Sequence, residues 1–207
     1  ANLLKIKKIK FYLMKKLDGK LKYNIAVFIS GRGSNLKSII RYSLKQKTSY
    51  KIKIVISNNP KAKGLLIAKK EKIKNYYINF TKSKKLGKKV LNILKKNNIK
   101  LVCLAGFMKI LPKYFIKLYE GKIINIHPSL LPKYKGLNTH KRVIENNEKY
   151  TGCTIHHVNR YLDSGKIIFQ KKVKITKKDN KKSIEKKVLK IEHEIYPKTI
   201  DKLLSNL

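Results

Sequence analysis

The sequence has little cysteine, little arginine, few acidic side chains and no tryptophan. Its 207 residues include only two cysteines, Cys103 and Cys153, and neither belongs to a CxxC pair or to a Cys/His set with metal-ligand spacing. A disulfide-stabilised scaffold and a cysteine-based zinc site are therefore excluded. Because both cysteines stand in apolar or β-like stretches, we expect two buried free thiols and a reducing compartment.

Long apolar runs are also missing. The longest, Leu101 to Met108, is far shorter than the stretch of about 20 residues that crosses a membrane. The N-terminus has no apolar segment followed by a small-residue cleavage site, which argues against a secretory signal. We expect no membrane partner and a cytoplasmic location, or an organelle if the basic N-terminus is a targeting segment.

Acidic residues are scarce. The chain has 11 Asp and Glu against 52 Lys and Arg, which gives a formal charge of +41, yet 42% of its residues are hydrophobic and recur in ordered blocks. A disordered polycation has low hydrophobicity, so this pattern predicts a folded and very basic protein. The length fits one domain better than two.

The positive charge comes almost entirely from lysine, because only four of the 52 basic residues are arginine. The lysines are spread along the whole chain, whereas nucleic-acid readers favour arginine for base contacts and gather charge on one face. We therefore expect no specific nucleic-acid partner, but non-specific adhesion to polyanions at low salt.

The chain divides into a short basic extension and one globular unit. Residues 1–22 are basic with scattered apolar side chains, and we expect them to be a poorly ordered extension. From Asn24 onward, β-like runs alternate with helical ones up to His127, which predicts an α/β fold: a Rossmann-like, mostly parallel sheet with helices on both faces. The predicted strands are 24–30, 51–57, 76–78, 101–105 and 122–127, and the predicted helices are 35–46, 62–72, 84–96 and 112–119.

The pattern changes after His127. A loop rich in proline leads to a predicted helix over 139–146, and two β-like runs at 151–159 and 166–175 are close enough to pair as antiparallel strands. The last helical stretch, 181–205, is predicted to be interrupted at Pro197.

The first motif that suggests chemistry is SGRGSN, Ser30 to Asn35, between a predicted strand and a predicted helix. Glycines there let backbone N–H groups face a ligand, and a helix N-terminus adds positive potential, so the loop suits a phosphate. It is neither a dinucleotide fingerprint nor a Walker loop. The alternative is an ordinary glycine turn in which Ser34 or Asn35 caps the helix.

The second motif is NIHPSLLP, which begins at Asn125 directly after an apolar strand. Asn125 and His127 are two residues apart, so on an extended strand they point the same way. An amide beside an imidazole suits acyl transfer, because the amide can hold an oxyanion while the imidazole moves a proton. A lone histidine is more often structural, but the amide and the two prolines favour a functional interpretation.

The third motif is LDSG, Leu162 to Gly165, between the two late strands. Asp163 could approach His127, favour its protonated form and orient its ring, although Asp-Ser-Gly is also a common turn sequence. His156 and His157 are adjacent on a predicted strand and should face opposite sides, so no shared metal site is expected there. The sequence predicts no metal site elsewhere either.

Five short blocks in a fixed order resemble the phosphoribosylglycinamide formyltransferase family. These blocks are SGRGSN at 30–35, LAGFMKIL at 104–111, NIHPSLLPKY at 125–134, LDSG at 162–165 and EHEIYP at 192–197. The likeness extends from Asn24 almost to the C-terminus. It implies one formyltransferase domain over residues 23–207 and a formyl transfer from 10-formyltetrahydrofolate to the amine of glycinamide ribonucleotide.

The resemblance also implies roles for individual residues. Asn125, His127 and Asp163 would be catalytic, with Asp163 raising the pKa of a protonated His127. The glycinamide ribonucleotide would be bound by Gly33, Ser34, Asn35 and Glu192. The folate would be bound by Met108, Lys109, Ile110, Leu111, Asn125 and, at its tail, Lys84.

Two other functions are weighed against this one. Formyltetrahydrofolate deformylase shares the HPSLLP style of core but normally has an added N-terminal domain, for which the 22-residue extension is too short. The basic surface could instead belong to a nucleic-acid-binding protein that has kept an inherited enzyme core. We expect a monomer or a weak homodimer with small-molecule substrates and no metal.

Overall fold

A seven-stranded sheet forms the centre of the computed structural model, which describes residues 22–45, 47–80 and 83–207. The extension predicted over residues 1–22 lies outside the described residues, apart from Lys22. The strands are β1 Tyr23–Ile29, β2 Tyr50–Ser57, β3 Lys74–Tyr77, β4 Ile99–Leu104, β5 Lys122–His127, β6 Tyr150–His157 and β7 Ile167–Lys174.

The strand order is β3-β2-β1-β4-β5-β6-β7. The first five strands in this order pair in parallel, whereas β6 pairs antiparallel with both β5 and β7. The predicted mostly parallel sheet with late antiparallel strands is therefore confirmed.

Helices cover both faces of the sheet. They are α1 Ser34–Ser43, α2 Lys63–Lys70, α3 Lys84–Lys96, α4 Lys113–Leu118, α5 Thr139–Glu145 and α6 Lys181–Ser205. Strand β1 shows why two layers are needed, because it is buried on both faces: Ile25, Val27 and Ile29 pack with α1 and α6, while Ala26 and Phe28 pack with α3 and α4. Alternation along one strand thus divides the interior into two cores.

The predicted interruption at Pro197 is wrong, since α6 is continuous for 25 residues. A proline inside a helix costs about 3 kcal/mol because it removes one hydrogen bond and crowds the preceding turn. Here the neighbouring side chains offset that cost: Tyr196 and Ile200 are fully buried, and the Tyr196 hydroxyl donates to the Leu104 carbonyl at 2.9 Å. Tertiary packing overrides the local preference.

The structure bears on the predicted state of the cysteines and on membrane-spanning helices. Cys103 and Cys153 are free and buried, as predicted. Within the described ranges, no helix is long and apolar enough to cross a membrane.

The sheet reverses its winding direction between β1 and β4. The chain runs outward from β1 through β2 to β3, then returns to place β4 on the other side of β1. Crossovers on opposite sides leave a crevice at the carboxyl ends of β1 and β4, where α/β sheets bind their ligands. Ser30 follows β1 at this point, and Gly106 follows β4.

Candidate active site

A cleft of about 1150 Å³ opens at the carboxyl ends of β1, β4 and β5. It brings together all but one of the residues predicted from the sequence to form the site. Those lining it are Gly33, Ser34, Asn35, Met108, Lys109, Ile110, Leu111, Asn125, His127, Asp163 and Glu192. Lys84 is the first residue of α3 and is not part of this lining, so its contact with a folate tail stays a prediction.

The SGRGSN loop presents an open helix N-terminus to the cleft. Gly33 is the residue before α1 and adopts φ 75°, and no side chain caps the helix. The alternative in which Ser34 or Asn35 serves as the cap is therefore wrong, because both lie inside the first turn. The uncapped N–H groups can donate hydrogen bonds to an anionic ligand.

The loop is also fixed to the loop after β4. The Ser30 amide donates to the Gly106 carbonyl at 3.1 Å, and the Met108 amide donates to the Ser30 hydroxyl oxygen at 2.8 Å. These bonds couple the phosphate-type loop to the segment that begins at Met108. The two halves of the cleft are thus held in one geometry.

A buried carboxylate lies behind the helix N-terminus. Glu192 on α6 is 6% exposed and accepts a hydrogen bond from the Asn35 side chain at 2.8 Å. Burial raises the pKa of Glu192 to about 7, although the bond from Asn35 opposes this shift. The Asn35 side-chain oxygen has no hydrogen-bond partner among the described residues, so it is available to a ligand.

His127 ends β5 and is held by two groups. Its Nε2 lies 2.8 Å from the Tyr134 carbonyl, and its Nδ1 lies 3.4 Å from Asp163 Oδ2. A carbonyl can only accept, so Nε2 bears a hydrogen. In a neutral ring, Nδ1 then turns a lone pair toward the carboxylate, and a second proton on Nδ1 would convert this contact into a charged hydrogen bond. The His127–Asp163 pair is therefore built to take up one proton.

The pKa of His127 in the free protein depends on its burial as well as on Asp163. His127 is 5% exposed, and burial lowers its pKa below the ordinary value. The Tyr134 carbonyl and the Asp163 charge act in the opposite direction, as predicted for Asp163, but they do not offset the burial. The sequence suggested that Asp163 is the partner of His127, whereas the burial of the His127 ring depends on the tertiary structure.

Asp163 is positioned by its backbone as well as its neighbours. It adopts φ 45°, a left-handed conformation that aspartate tolerates better than most residues, and its Oδ2 accepts from the Gly136 amide at 2.9 Å. Burial alone raises the pKa of Asp163, but the hydrogen bond from the Gly136 amide and the nearby His156 and His127 rings outweigh it, so the pKa is lowered. The carboxylate is ionised at neutral pH.

His156 is a site residue that the sequence reasoning missed. It lies opposite Asn125 in the β5–β6 register and lines the cleft. Its Nδ1 donates to the His157 carbonyl at 2.8 Å, which leaves Nε2 to accept from the Asn125 amide at 3.2 Å. Antiparallel pairing of the two strands is the signal that could have found it. No group of three or more His, Cys, Asp and Glu in the described part of the chain could hold a metal ion.

The predicted folate segment forms an apolar edge. Met108 and Ile110 are 65% and 69% exposed, whereas Leu111 is buried. Leu137 and Leu162 are also largely exposed and line the same cleft. Exposed apolar side chains that gather around a cleft indicate a ligand with an apolar part.

The cleft is also lined by polar side chains that were not among the predicted site residues. His140 on α5 has a buried Nδ1 with no partner among the residues that the structure describes. Arg32 and Lys181 also line the cleft, and Arg32 forms an exposed ion pair with Glu185 at 2.9 Å. Arg32 and Lys181 add positive charge to the cleft, whereas burial lowers the pKa of His140 and favours its neutral form.

A family model described as formyl transferase matches residues 23–200. The chain belongs to the formyl transferase family. The resemblance drawn from the five sequence blocks is thereby confirmed, and the match begins at the start of β1 and ends within α6.

Known relatives of this formyl transferase have closely similar sequences and structures. The phosphoribosylglycinamide formyltransferase of Haemophilus influenzae is 41% identical over 179 residues, covering 85% of this chain and 84% of the relative. The solved phosphoribosylglycinamide formyltransferase of Anaplasma phagocytophilum superposes with a TM-score of 0.84 at 39% identity, covering 88% of this chain and 87% of the other.

Some relatives are much longer. The trifunctional purine biosynthetic protein adenosine-3 of Gallus gallus is 37% identical over 195 residues, which is 91% of this chain but 19% of that protein. The chain thus spans between 13% and 19% of the trifunctional relatives and about 85% of the single-function ones.

Proposed function

We propose that the chain transfers the formyl group of 10-formyltetrahydrofolate to the amine of N1-(5-phospho-D-ribosyl)glycinamide, a step of de novo purine biosynthesis. The observation that carries this proposal is the convergence, in one cleft, of an open helix N-terminus, the Asn125, His127 and Asp163 side chains, and an apolar edge. The names of the single-function relatives support the same substrates.

The phosphate end of the substrate fits the first loop. Gly33, Ser34 and Asn35 line the cleft at the uncapped N-terminus of α1, where backbone N–H groups and the helix dipole favour an anion. Glu192 lies beside them and can accept hydrogen bonds from a ribose or an amine. The unpartnered Asn35 oxygen gives the substrate a further acceptor.

The folate fits the other end of the cleft. Its ring system would lie along the apolar edge that runs from Met108 to Leu111, and its polar groups would meet the backbone of this segment and the Asn125 amide. Lys109 and Lys84 supply positive charge for the folate carboxylates. The folate acts as a co-substrate, and no metal enters the proposed chemistry.

The proposed reaction is a direct transfer. The substrate amine attacks the formyl carbon, and the carbonyl oxygen becomes an oxyanion that accepts from the Asn125 amide and is stabilised by the positive charge of the protonated His127 ring. The carbon–N10 bond of the folate then breaks, and the proton lost by the amine reaches N10 through the His127–Asp163 pair and water. A developing oxyanion beside His127 favours the imidazolium, which offsets the lowering of its pKa by burial.

The cellular location and the oligomeric state are proposed from the sequence. The two free buried thiols fit a reducing compartment such as the cytoplasm. A monomer or weak homodimer stays a prediction.

The test is formyl transfer by the purified chain and by His127→Ala and Asn125→Ala. Each variant should lose on the order of a hundred- to a thousandfold in kcat, because each removes a group that stabilises the oxyanion. His193→Ala, which changes a histidine outside the cleft lining, should retain kcat. Wild-type kcat in both cleft variants would contradict the mechanism, and formate release without glycinamide ribonucleotide would indicate a deformylase instead.

A further inference from the structure

A group of side chains on the far side of the 133–137 loop holds the Tyr134 carbonyl that contacts His127. The Tyr134 hydroxyl donates to Glu148 Oε1 at 2.9 Å, and the Lys133 ammonium donates to the same oxygen at 2.8 Å. The Arg142 guanidinium lies over the Tyr134 ring at 5.2 Å and donates to the Lys135 carbonyl at 2.7 Å. The loop is therefore fixed at several points around Tyr134.

Tyr134 connects two sides of the molecule. Its backbone has φ 56°, a left-handed conformation that is uncommon for a residue with a bulky side chain, and its carbonyl accepts from His127 Nε2. Its ring and Glu148 line a separate cavity of about 190 Å³ and are not part of the cleft lining. A change to the hydroxyl or to Glu148 would therefore leave the substrate contacts in place.

We propose that Glu148, acting through the Tyr134 hydroxyl, is a positioning residue that fixes the His127 ring with its hydrogen on Nε2. The left-handed backbone aims the Tyr134 carbonyl at the ring, and the bond to Glu148 anchors the side chain of that same residue. With Nε2 committed to the carbonyl, Nδ1 is left as the nitrogen that gains and loses the proton beside Asp163. The catalytic part of this inference rests on the proposed function.

The charged and titratable groups around His127 determine how its pKa responds when the contact with the Tyr134 carbonyl changes. Asp163 faces Nδ1, His156 lies behind Asp163 on β6, and Arg142 and His140 approach from α5. The Tyr134 carbonyl raises the pKa of His127, whereas His156 and Arg142 lower it. Loosening the carbonyl should therefore make His127 titrate at lower pH, with the other four groups unchanged.

The experiment compares Tyr134→Phe and Glu148→Ala with Lys133→Met as the matched control. Tyr134→Phe keeps the ring, and Lys133→Met removes the exposed ion pair but keeps the tyrosine bond. We expect kcat to fall about tenfold in the first two variants, with KM values within about twofold, because the affected group supports a catalytic side chain and does not touch substrate. Glu148→Gln retains an acceptor for the hydroxyl and should restore most of kcat.

A second readout does not depend on activity. In protein labelled with ¹⁵N-histidine, the signals of His127 are assigned by their loss in His127→Ala. Wild type should show the Nε2–H form, while Tyr134→Phe should show mixed tautomers and a lower titration midpoint. Unchanged tautomer and titration in Tyr134→Phe would overturn the inference, as would equal effects of Lys133→Met. If wild type transfers no formyl group but the tautomer still shifts, the proposed function fails and the positioning role stands.

Discussion

Single residues in the cleft show how burial sets the charge that a substrate meets. Glu192 on α6 is almost fully buried, and its one described hydrogen bond comes from Asn35 on α1. Burial raises its pKa to about 7, so the free protein holds this carboxyl partly protonated near neutral pH. A substrate that brings a cation or a hydroxyl donor would favour the ionised form.

This raised pKa gives a pH-dependent stability. An unfolded glutamate titrates near 4.5, so between about pH 4.5 and 7 the native state binds more protons, and rising pH destabilises it. Glu192→Gln stays neutral, and its free energy of unfolding should be close to wild type at pH 4.5 and exceed it by about 3 kcal/mol above pH 7. Urea unfolding across this range measures the difference. Glu145→Gln, an exposed control on α5, should show no such trend, and the prediction fails if the two variants behave alike.

The sequence could identify side chains but not their protonation. Asn125, His127 and Asp163 were predictable because strand spacing and turn chemistry are local properties. The role of His156 and the low pKa of His127 were not, since both depend on which strand pairs with β5 and how deeply the ring is buried. Local patterns contain little information about contacts across the sheet.

At the scale of elements, the site depends on a close approach between the N-termini of α1 and α2. A side chain on Gly33 would place its Cβ 2.6 Å from the Gly64 Cα, and Gly33 also has φ 75°. The Gly64 amide donates to the Gly31 carbonyl at 3.1 Å, so the first turn of α2 packs directly on the SGRGSN loop. Gly33 is thus required by backbone conformation and by space.

Gly33→Ala should therefore disturb the loop, whereas Gly31→Ala should not. The added methyl would meet backbone atoms that cannot move aside at Gly33, while a Cβ on Gly31 has no neighbour within 4 Å. We expect Gly33→Ala to lose about 2 kcal/mol of stability and to raise the KM for glycinamide ribonucleotide at least tenfold. Urea unfolding and steady-state kinetics measure the two effects. Equal KM values in both variants would show that this loop does not hold the phosphate.

The alternation of elements was largely predictable because strands apolar on both faces require helices on both sides. The exceptions have specific causes. Pro197 remains inside α6 because buried neighbours hold the helix together, and Tyr134 adopts a left-handed backbone conformation that is uncommon for a bulky residue. Such positions follow from tertiary packing, which the linear pattern does not contain.

At the scale of the whole molecule, positive charge greatly exceeds negative charge. The formal charge is +41, and much of the small acidic content is already paired, with ion pairs such as Arg32–Glu185, Lys133–Glu148 and Lys187–Asp179. Most lysines consequently present uncompensated charge to solvent. The carboxylates Asp163 and Glu192 are instead buried in the cleft, where salt screens their interactions less than it does at the surface.

Uncompensated surface charge predicts binding to polyanions that is separate from catalysis. The full chain should bind random-sequence duplex DNA in about 50 mM salt, and because each phosphate contact releases a counterion, affinity should fall by about a thousandfold or more at about 200 mM. Fluorescence anisotropy with two unrelated duplexes measures this, and both should bind equally, because few arginines are present to read bases. Formyl transfer, assayed across the same salt range, should change far less than DNA affinity, since its groups lie inside the cleft. Sequence-selective binding that persists at the higher salt would contradict this and favour a nucleic-acid function.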